Sequence, residues 1–385
     1  MVWLVVPYHH TANHTKPATT ILYQAFKMKN LLNPWCRRKA WAKGAFLAFL
    51  VLLLWSYTLA GQLNIMAQTG ELLSKPSLPA SARINSLPST HRLADSRTCK
   101  PPTERRPPAS LAPKVSIENV RKLAKGGYKG ISRGSGNIPH MGPFLTILSR
   151  LQLENLSLSG SVAEIGVHHG HFTSFLFATA RQGEDLVVAD LFEDLQDLNV
   201  EHSGSGNKQK FLEGMQTYGL EESSLHTIFT GSSADLPFDW PRANHFQPFR
   251  LISVDGGHTA SLTFNDLQIG FCNLLPGGIL VLDDFFHGNW PGVTEGFFQL
   301  LLQGPDSLKQ VKLFPFLVCK GKILLTNDRN AYETFYNGLL DQASDLVKPS
   351  NRGHTNYELN GIPYLMCLNL VEDEHIHEKW ESLIF

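Results

Sequence analysis

Two groups of acidic residues follow apolar runs of the sequence and have the spacing of a binding site. The first group starts at Glu164, in the run VAEIGVHHGHFTSFL, which passes through Gly166 and Gly170 into a helical pattern. Glycines at such a turn let the backbone approach a ligand, and the free N–H groups of the following helix face that ligand. Asp190 ends the next apolar run, where an acid commonly hydrogen-bonds ribose hydroxyls. We therefore expect these residues to hold a nucleotide-like cofactor.

The same turn weakens two alternatives. A turn that binds a dinucleotide has a third glycine, but His171 stands at that position, and Glu164 would repel a pyrophosphate. A nicotinamide-dependent oxidoreductase is therefore the weaker interpretation. A metal site built from His168, His169 and His171 is also disfavoured, because adjacent side chains in a tight turn diverge and no partners stand at zinc spacings.

The second group lies within residues 249–286. The run LISVD ends at Asp255 and is followed by Gly-Gly-His258, and the run ILVLDD ends at Asp283 and Asp284. The ends of neighbouring parallel strands lie about 4.8 Å apart, at the sheet edge where open α/β sheets bind ligands. Carboxylates that close repel one another, and a divalent cation such as Mg²⁺ would relieve the repulsion.

An alternative stays open for this second group. Asp283 and Asp284 are adjacent, so their side chains point to opposite faces of the strand and one of them serves only to cap a loop. His258 is the predicted general base that takes a proton from an acceptor hydroxyl, with Asp255 as the alternative. His287 and Trp290, in the loop beyond these acids, are expected to face the substrate.

A sheet has to bring the two groups together. Apolar runs alternate with helical patterns after residue 114, and the strands are predicted at 161–167, 186–192, 225–230, 249–255 and 278–284. The helices between them are predicted at 171–182, 207–218 and 260–274, and a further helix at 330–346. This alternation indicates a mostly parallel, Rossmann-like α/β sheet. The runs 311–319 and 322–327 are separated only by Lys320-Gly321, which predicts a C-terminal antiparallel hairpin.

The first third of the chain differs in composition. Residues 44–61 carry no charge, and a helix of that length reaches about 27 Å, close to the hydrocarbon thickness of a bilayer. We predict a basic cytosolic segment at 1–43, a transmembrane helix at 44–61, a disordered Pro/Ser-rich stalk at 62–113 and a folded domain at 114–385, with its core at about 130–327. Basic residues before the span predict type II topology with a luminal domain.

Charge and cysteine usage narrow the function classes. Residues 1–125 carry 18 Lys and Arg against 4 Asp and Glu, whereas the remaining 260 carry 16 against 30. An acidic domain repels phosphates, which argues against nucleic-acid partners. The 5 cysteines show no CxxC spacing and indicate neither zinc nor a disulfide framework. Asn155-Leu156-Ser157 is a glycosylation sequon on the predicted luminal side.

Three motifs in this order resemble class I S-adenosylmethionine-dependent methyltransferases. They are Glu-x-Gly-x-x-x-Gly-x-x-Thr from Glu164, Val-Asp-Gly-x-His from Val254, and Leu-x-Pro-Gly-Gly…Asp-Asp from Leu274. The most similar group is the methyltransferase-domain group related to the macrocin and aminocoumarin sugar O-methyltransferases. The resemblance covers about 130–327. The loop 285–296 departs from the substrate-contacting stretch of those enzymes, so sugar specificity does not carry over.

The resemblance implies a role for each matching residue. Glu164, Gly166 and Gly170 would line the methionine and ribose side of S-adenosylmethionine, Asp190 would bind the ribose hydroxyls, and Ser232 would lie beside the adenine. The metal set of the magnesium-dependent members corresponds to Asp255, Asp283 and Asp284.

These observations predict an O-methyltransferase that is anchored in a membrane of the secretory pathway, with the Golgi as the expected location. Its acceptor is expected to be a small molecule or a glycan, and a divalent metal is expected to assist. A catalytically inactive module that kept the fold is the alternative. The sequence gives no indication of the oligomeric state.

Overall fold

The computed structural model describes residues 101–108, 110–126, 140–303, 312–350, 358–368 and 373–384. The predicted cytosolic segment, the predicted transmembrane helix and most of the predicted stalk lie outside these residues. Within the described ranges, no helix combines the length and the apolar character needed to cross a membrane.

Most of the described strands belong to one sheet. They are β1 Ser161–Ile165, β2 Leu186–Asp190, β3 Thr227–Thr230, β4 Phe249–Val254, β5 Leu274–Leu282, β6 Phe314–Cys319, β7 Lys322–Thr326, β8 Val347–Pro349, β9 Glu358–Leu359, β10 Ile362–Pro363 and β11 Leu365–Cys367. The strand order in the large sheet is β3-β2-β1-β4-β5-β7-β6-β11-β8, and β9 pairs with β10 separately.

The sheet confirms the predicted mostly parallel arrangement. Strands β1 to β5 run parallel to one another, and β7 enters antiparallel beside β5. The hairpin of β6 and β7 turns through Lys320 and Gly321, which have φ values of 51° and 85°. Positive φ at both central residues is the geometry of a two-residue hairpin turn. The carboxyl ends of β1, β2, β4 and β5 therefore meet at one edge of the sheet.

Helices cover both faces of the sheet. They are α1 Ile117–Gly126, α2 Met141–Glu154, α3 His171–Phe177, α4 Lys208–Thr217, α5 Trp240–Ala243, α6 Ala260–Cys272, α7 Pro291–Gln303, α8 Arg329–Gln342 and α9 Asp373–Leu383. One apolar cluster packs α2, α3 and α8 on the first face, and a second packs α6 and α7 on the other. Strands β1 and β4 are buried along their whole length, as expected for central parallel strands.

Side chains at the helix starts explain where several helices begin. The Asn207 side chain accepts a hydrogen bond from the Lys210 amide (2.8 Å), and Asp328 accepts one from the Ala331 amide (2.9 Å). Thr259 caps α6 in the same way, through the Leu262 amide at 3.3 Å. Each cap satisfies an N–H group that the helix itself leaves unpaired. Because Thr259 follows His258 directly, this cap fixes the start of α6 beside the second acidic group.

The last residues of the predicted stalk pack against the rest of the described domain. Residues 101–108 and 110–113 are described and contact the domain. Arg105 donates to the Pro276 carbonyl oxygen (3.1 Å) and to Asp328 (3.0 Å), and Arg106 forms an isolated bridge with Ser159. The prolines of this segment prevent regular hydrogen-bond ladders, but its carbonyl and side-chain groups still bind the domain. The folded part therefore begins before residue 114.

The structure contains a disulfide bond that the cysteine spacing did not indicate. Cys319 ends β6 and Cys367 ends β11, and these strands pair in parallel, so that the two Cα atoms lie 5.0 Å apart. Since 48 residues separate the two cysteines in the chain, no local pattern announces the bond. It joins the hairpin to the strand that extends the sheet.

Replacing Cys319 and Cys367 together by serine is expected to lower the free energy of unfolding by about 2–4 kcal/mol, because the unfolded chain regains the freedom that the bond removes. Urea unfolding of the full chain measures the loss, and mapping of disulfide-linked peptides verifies the bond. Replacing Asn155 by glutamine, at the domain surface, is a control expected to leave the free energy unchanged. Equal unfolding midpoints for the wild type and the double variant would contradict the expectation.

Candidate active site

The first acidic group lies at the end of β1. Glu164 is 1% exposed, and it accepts a hydrogen bond from the Thr173 hydroxyl on α3. Burial raises the pKa of the Glu164 carboxyl to about 8, while the Thr173 hydrogen bond and the charge of Lys322 oppose that rise. The carboxyl lines a cavity, where it is available to a ligand with a positive group or hydroxyls.

The two glycines of the turn have distinct reasons to be glycine. Both have positive φ, 85° at Gly166 and 81° at Gly170. A Cβ on Gly166 would lie 1.8 Å from the carbonyl oxygen of Asp255, and a Cβ on Gly170 would lie 2.5 Å from the Phe211 ring. Gly166 therefore lets the turn approach the end of β4, and it lines the cavity. Gly170 packs against α4 and shapes the turn from outside the lining.

Asp190 joins the end of β2 to the same turn. One carboxylate oxygen accepts hydrogen bonds from the amides of Val167 (2.6 Å) and His168 (2.8 Å), and the other accepts one from the Phe192 amide (2.6 Å). These contacts hold the turn against β2. Asp190 also lines the cavity, where a ribose would meet it. The acid predicted from the strand spacing is thus placed beside the glycine turn.

One cavity contains most of the predicted cofactor residues. It has a volume of about 320 Å³, within the range of small-molecule sites. Glu164, Gly166, Asp190 and Ser232 line it, and it continues to Asp255 and His258. Ser232 caps the short turn after β3 by accepting from the Ala234 amide (3.3 Å). A single space therefore connects the predicted cofactor site with the predicted catalytic residues.

His258 lies between two carboxylates at the far end of this cavity. Its Nδ1 is 2.8 Å from Oε2 of Glu201, and its Nε2 is 3.1 Å from Oδ2 of Asp284. The Glu201 carboxylate also accepts from the His258 amide (2.9 Å). Burial alone would lower the pKa of His258, but hydrogen bonds to Asp284 and Glu201, with their charges, outweigh it and raise the pKa. The Trp290 ring stacks on the imidazole, with 4.2 Å between centroids.

The structure divides the three aspartates of the predicted metal set. Asp255, His258 and Asp284 each place a ligand atom within 4.8 Å of the others, so these residues could hold a cation. Asp283 instead forms an ion pair with Lys322 on β7. Asp284 has φ 53°, so the backbone leaves the strand direction there, and the two acids have different partners, Lys322 for Asp283 and His258 for Asp284.

Two residues of the site escaped the sequence reasoning. Glu201 belongs to the loop after β2, which has no periodic pattern. Lys322 was read only as the start of a hairpin strand, although it is 4% exposed. No sequence spacing indicates its role, because its position beside Asp283 depends on the pairing of β7 with β5. His287, at 4.0 Å from Asp284, is more exposed than Trp290.

The comparison with protein families identifies the domain. Residues 163–285 match the family described as "Methyltransferase domain". The matched segment spans β1 to the end of β5 and includes all the predicted cofactor and metal residues. The match confirms the methyltransferase prediction that the motifs made for this segment. No curated protein is similar enough to the whole chain to count as a match.

Several solved structures match parts of this chain at low sequence identity. The O-methyltransferase NovP is 13% identical, with a TM-score of 0.41, and the match covers 55% of this chain and 98% of NovP. The Bacillus cereus O-methyltransferase in complex with SAH is 18% identical, with a TM-score of 0.35 over 56% and 93% of the chains. MycE in complex with Mg, SAH and mycinamycin VI is 16% identical, with a TM-score of 0.33, and this chain spans about half of its length (47% and 48% covered).

The buried Glu164 carboxyl predicts a pH dependence of stability. Because its pKa rises from 4.5 to about 8 on folding, the folded protein holds a proton that the unfolded chain releases between these values. The free energy of unfolding of the wild type is therefore expected to fall as the pH rises through this range. Glu164→Gln carries no such proton. The unfolding temperature of the variant minus that of the wild type should therefore increase between pH 5 and pH 8.5.

Thermal unfolding of both proteins at several pH values, without cofactor, tests this expectation. Glu213→Gln, in an exposed helix position, serves as a control that should follow the wild type at every pH. A constant difference between Glu164→Gln and the wild type across the range would contradict the raised pKa.

Proposed function

We propose that the protein transfers the methyl group of S-adenosylmethionine to a hydroxyl of a small molecule or a glycan. The observation that carries the proposal is the single cavity that joins Glu164 and Asp190 to His258. The first two residues have the chemistry to hold a cationic amino acid group and a ribose. His258 has the chemistry to receive the proton that the acceptor loses. An inactive binding module would not need an imidazole at the far end of the cofactor cavity.

The residues bind and orient the two reactants. S-adenosylmethionine supplies an electrophilic methyl group, and the acceptor oxygen forms a bond to that carbon as the carbon–sulfur bond breaks. The donor pocket fixes one partner, and the His258 end of the cavity fixes the other. Holding both in line removes much of the entropic barrier of a two-molecule reaction. The acceptor proton must leave during this step.

His258 is the group that takes this proton. With the Nδ1 hydrogen donated to Glu201, Nε2 is the nitrogen that can accept the proton, and the carboxylates of Glu201 and Asp284 stabilise the imidazolium that forms. The two carboxylates of Asp255 and Asp284 are oxygen donors that fit a hard divalent cation. Such an ion would lower the pKa of the acceptor hydroxyl and orient it.

Methyl transfer from labelled S-adenosylmethionine, with a panel of glycans, lipids and small hydroxylated metabolites, tests the proposal. The assay is run with the full chain in detergent, with and without Mg²⁺. We expect label in at least one hydroxyl compound. Chelation should abolish that transfer and added Mg²⁺ should restore it. Activity that is indifferent to the chelator would reject metal assistance, and an absence of transfer to every class would contradict the enzyme proposal.

The same proposal extends to location. We propose a type II membrane protein of the secretory pathway, anchored by residues 44–61, with the domain in the lumen. The support is the charge-free stretch after a basic segment, together with the Cys319–Cys367 bond, because disulfides persist in oxidising compartments. Asn155 and Ser157 of the sequon are exposed. A mass decrease on glycosidase treatment that Asn155→Gln abolishes would support the lumen, and an unmodified Asn155 in secretory cells would count against it.

A further inference from the structure

Lys322 occupies a fixed position beside the active site. It is the first residue of β7 and pairs with Cys319 across the hairpin, and its neighbour Ile323 pairs with Leu282 of β5. Lys322 therefore lies beside Asp283, the residue that follows β5. The Gly321 carbonyl oxygen accepts a hydrogen bond from the Phe285 amide (2.7 Å), which ties the hairpin turn to the loop after β5.

One buried and two half-buried carboxyl groups lie near this lysine. Its Nζ forms an ion pair with Asp283, and its charge also acts on Asp255 and Glu164. The Asp255 and Asp283 carboxyl groups also act on each other. The Nζ also lies 4.2 Å from the centre of the Phe172 ring, which lines the cofactor cavity. The acids come from the ends of β1, β4 and β5, and the lysine comes from the next strand in the sheet.

The electrostatics assign the cation mainly to Asp283. Asp283 is the carboxylate in direct contact with the Lys322 ammonium. The residues whose ligand atoms come close enough to hold one cation are Asp255, His258 and Asp284, so Asp283 stands outside that set among the described residues. A carboxylate that is already neutralised by a buried ammonium is a poor ligand for a second cation. Removing the lysine would leave a buried negative charge without compensation, which is costly.

We propose that Lys322 is a positioning residue, an internal counter-ion that keeps Asp283 away from the metal site and leaves Asp255 and Asp284 as its carboxylates. Lys322 thereby supplies one of the positive charges that the predicted set of three aspartates required from a metal. The inference rests on the proposed function for its metal, and the ion-pair contacts stand independently of it. It explains why Asp283 and Asp284, though adjacent, have different roles.

Mn²⁺ binding to the full chain in detergent tests the proposal. The binding is measured as the decrease in the electron paramagnetic resonance signal of free Mn²⁺. Asp283→Asn is expected to bind Mn²⁺ no more tightly than the wild type, because Asp283 is not a ligand and the ammonium that it leaves unpaired acts on Asp255. Asp284→Asn is expected to bind at least about tenfold more weakly. Lys322→Met is expected to bind more tightly than the wild type, because it releases Asp283 toward the ion. Lys322→Arg keeps the positive charge and should bind Mn²⁺ with the wild-type affinity.

A double-variant cycle separates this role from a merely structural one. Asp283→Asn in the Lys322→Met background should cancel the gain, because the released carboxylate is then absent. This double variant also removes both charges of the pair, so it carries the test if Lys322→Met alone does not fold. It should then bind Mn²⁺ as the wild type does. Lys320→Met, in the same hairpin turn, is the matched control and should change nothing.

The outcomes distinguish this inference from the proposed function. Tighter binding in Asp283→Asn, weaker binding in folded Lys322→Met, or weaker binding in the double variant would overturn the counter-ion role. Binding in Lys322→Met but not in the wild type would support that role while rejecting metal assistance. An absence of Mn²⁺ binding in all the variants would overturn the inference, and titration with S-adenosylmethionine would still test the methyltransferase separately.

Discussion

Replacement of Asp190 by alanine is expected to raise the dissociation constant for S-adenosylmethionine by about 100-fold. The carboxylate accepts hydrogen bonds from three backbone amides, of Val167, His168 and Phe192, that shape the cofactor turn. Each hydrogen bond to a charged group contributes about 1.5–3 kcal/mol, and about 2.7 kcal/mol is a factor of 100. The variant loses this support and also the carboxylate that we propose as the acceptor for the ribose hydroxyls.

Calorimetric titration of S-adenosylmethionine into the full chain measures the effect. Asp185→Ala is the matched control. Asp185 lies just before the opposite end of β2, where it accepts from the Gln247 amide (2.9 Å), outside the cavity. The control should keep the wild-type dissociation constant. Equal affinities of Asp190→Ala and the wild type would remove Asp190 from the cofactor site.

Replacement of His258 by alanine is expected to lower the turnover number by a factor of about 10²–10⁴, which is the usual contribution of a positioned general base. The dissociation constant for S-adenosylmethionine should stay within about twofold of the wild-type value. The imidazole lies at the far end of the cavity, between Glu201 and Asp284, so its loss should affect the proton acceptor more than the donor pocket.

Methyl transfer to the best acceptor of the panel, together with the cofactor titration, separates the two quantities. His226→Ala is a suitable control, because His226 pairs with Asp185 away from the cavity. An equal loss of turnover in both variants would indicate a general effect on folding. A turnover number of His258→Ala close to the wild-type value would transfer the role of base to the alternative, Asp255.

Much of the fold could be predicted because it depends on local patterns. The alternation of apolar runs and helices placed β1, β2 and β4 within two residues of their observed ends. Because only two residues separate β6 and β7, the two strands had to form an antiparallel hairpin. Glu164, Asp190 and Asp255 could be found for the same reason, since each lies at or next to the carboxyl end of a parallel strand and the sheet brings such ends to one edge.

The rest depends on contacts between distant segments. Lys322 meets Asp283 only because β7 lies beside β5, and Cys319 meets Cys367 only because β11 lies beside β6. Neither pairing leaves a trace in sequence spacing. Glu201 reaches His258 from a loop without periodicity. The directions of the Asp283 and Asp284 side chains depend on a positive φ that no residue type required.

Calorimetric titration of the purified full chain with S-adenosylmethionine tests the central claim most directly, with NAD as the comparison ligand. The cavity and its residues predict one binding site per chain for S-adenosylmethionine and no heat of binding with NAD. The affinity for S-adenosylmethionine should be weakened by Asp190→Ala and unchanged by Asp185→Ala. An absence of binding by S-adenosylmethionine, or tight binding of NAD in its place, would contradict the assignment of this cavity to a methyl donor.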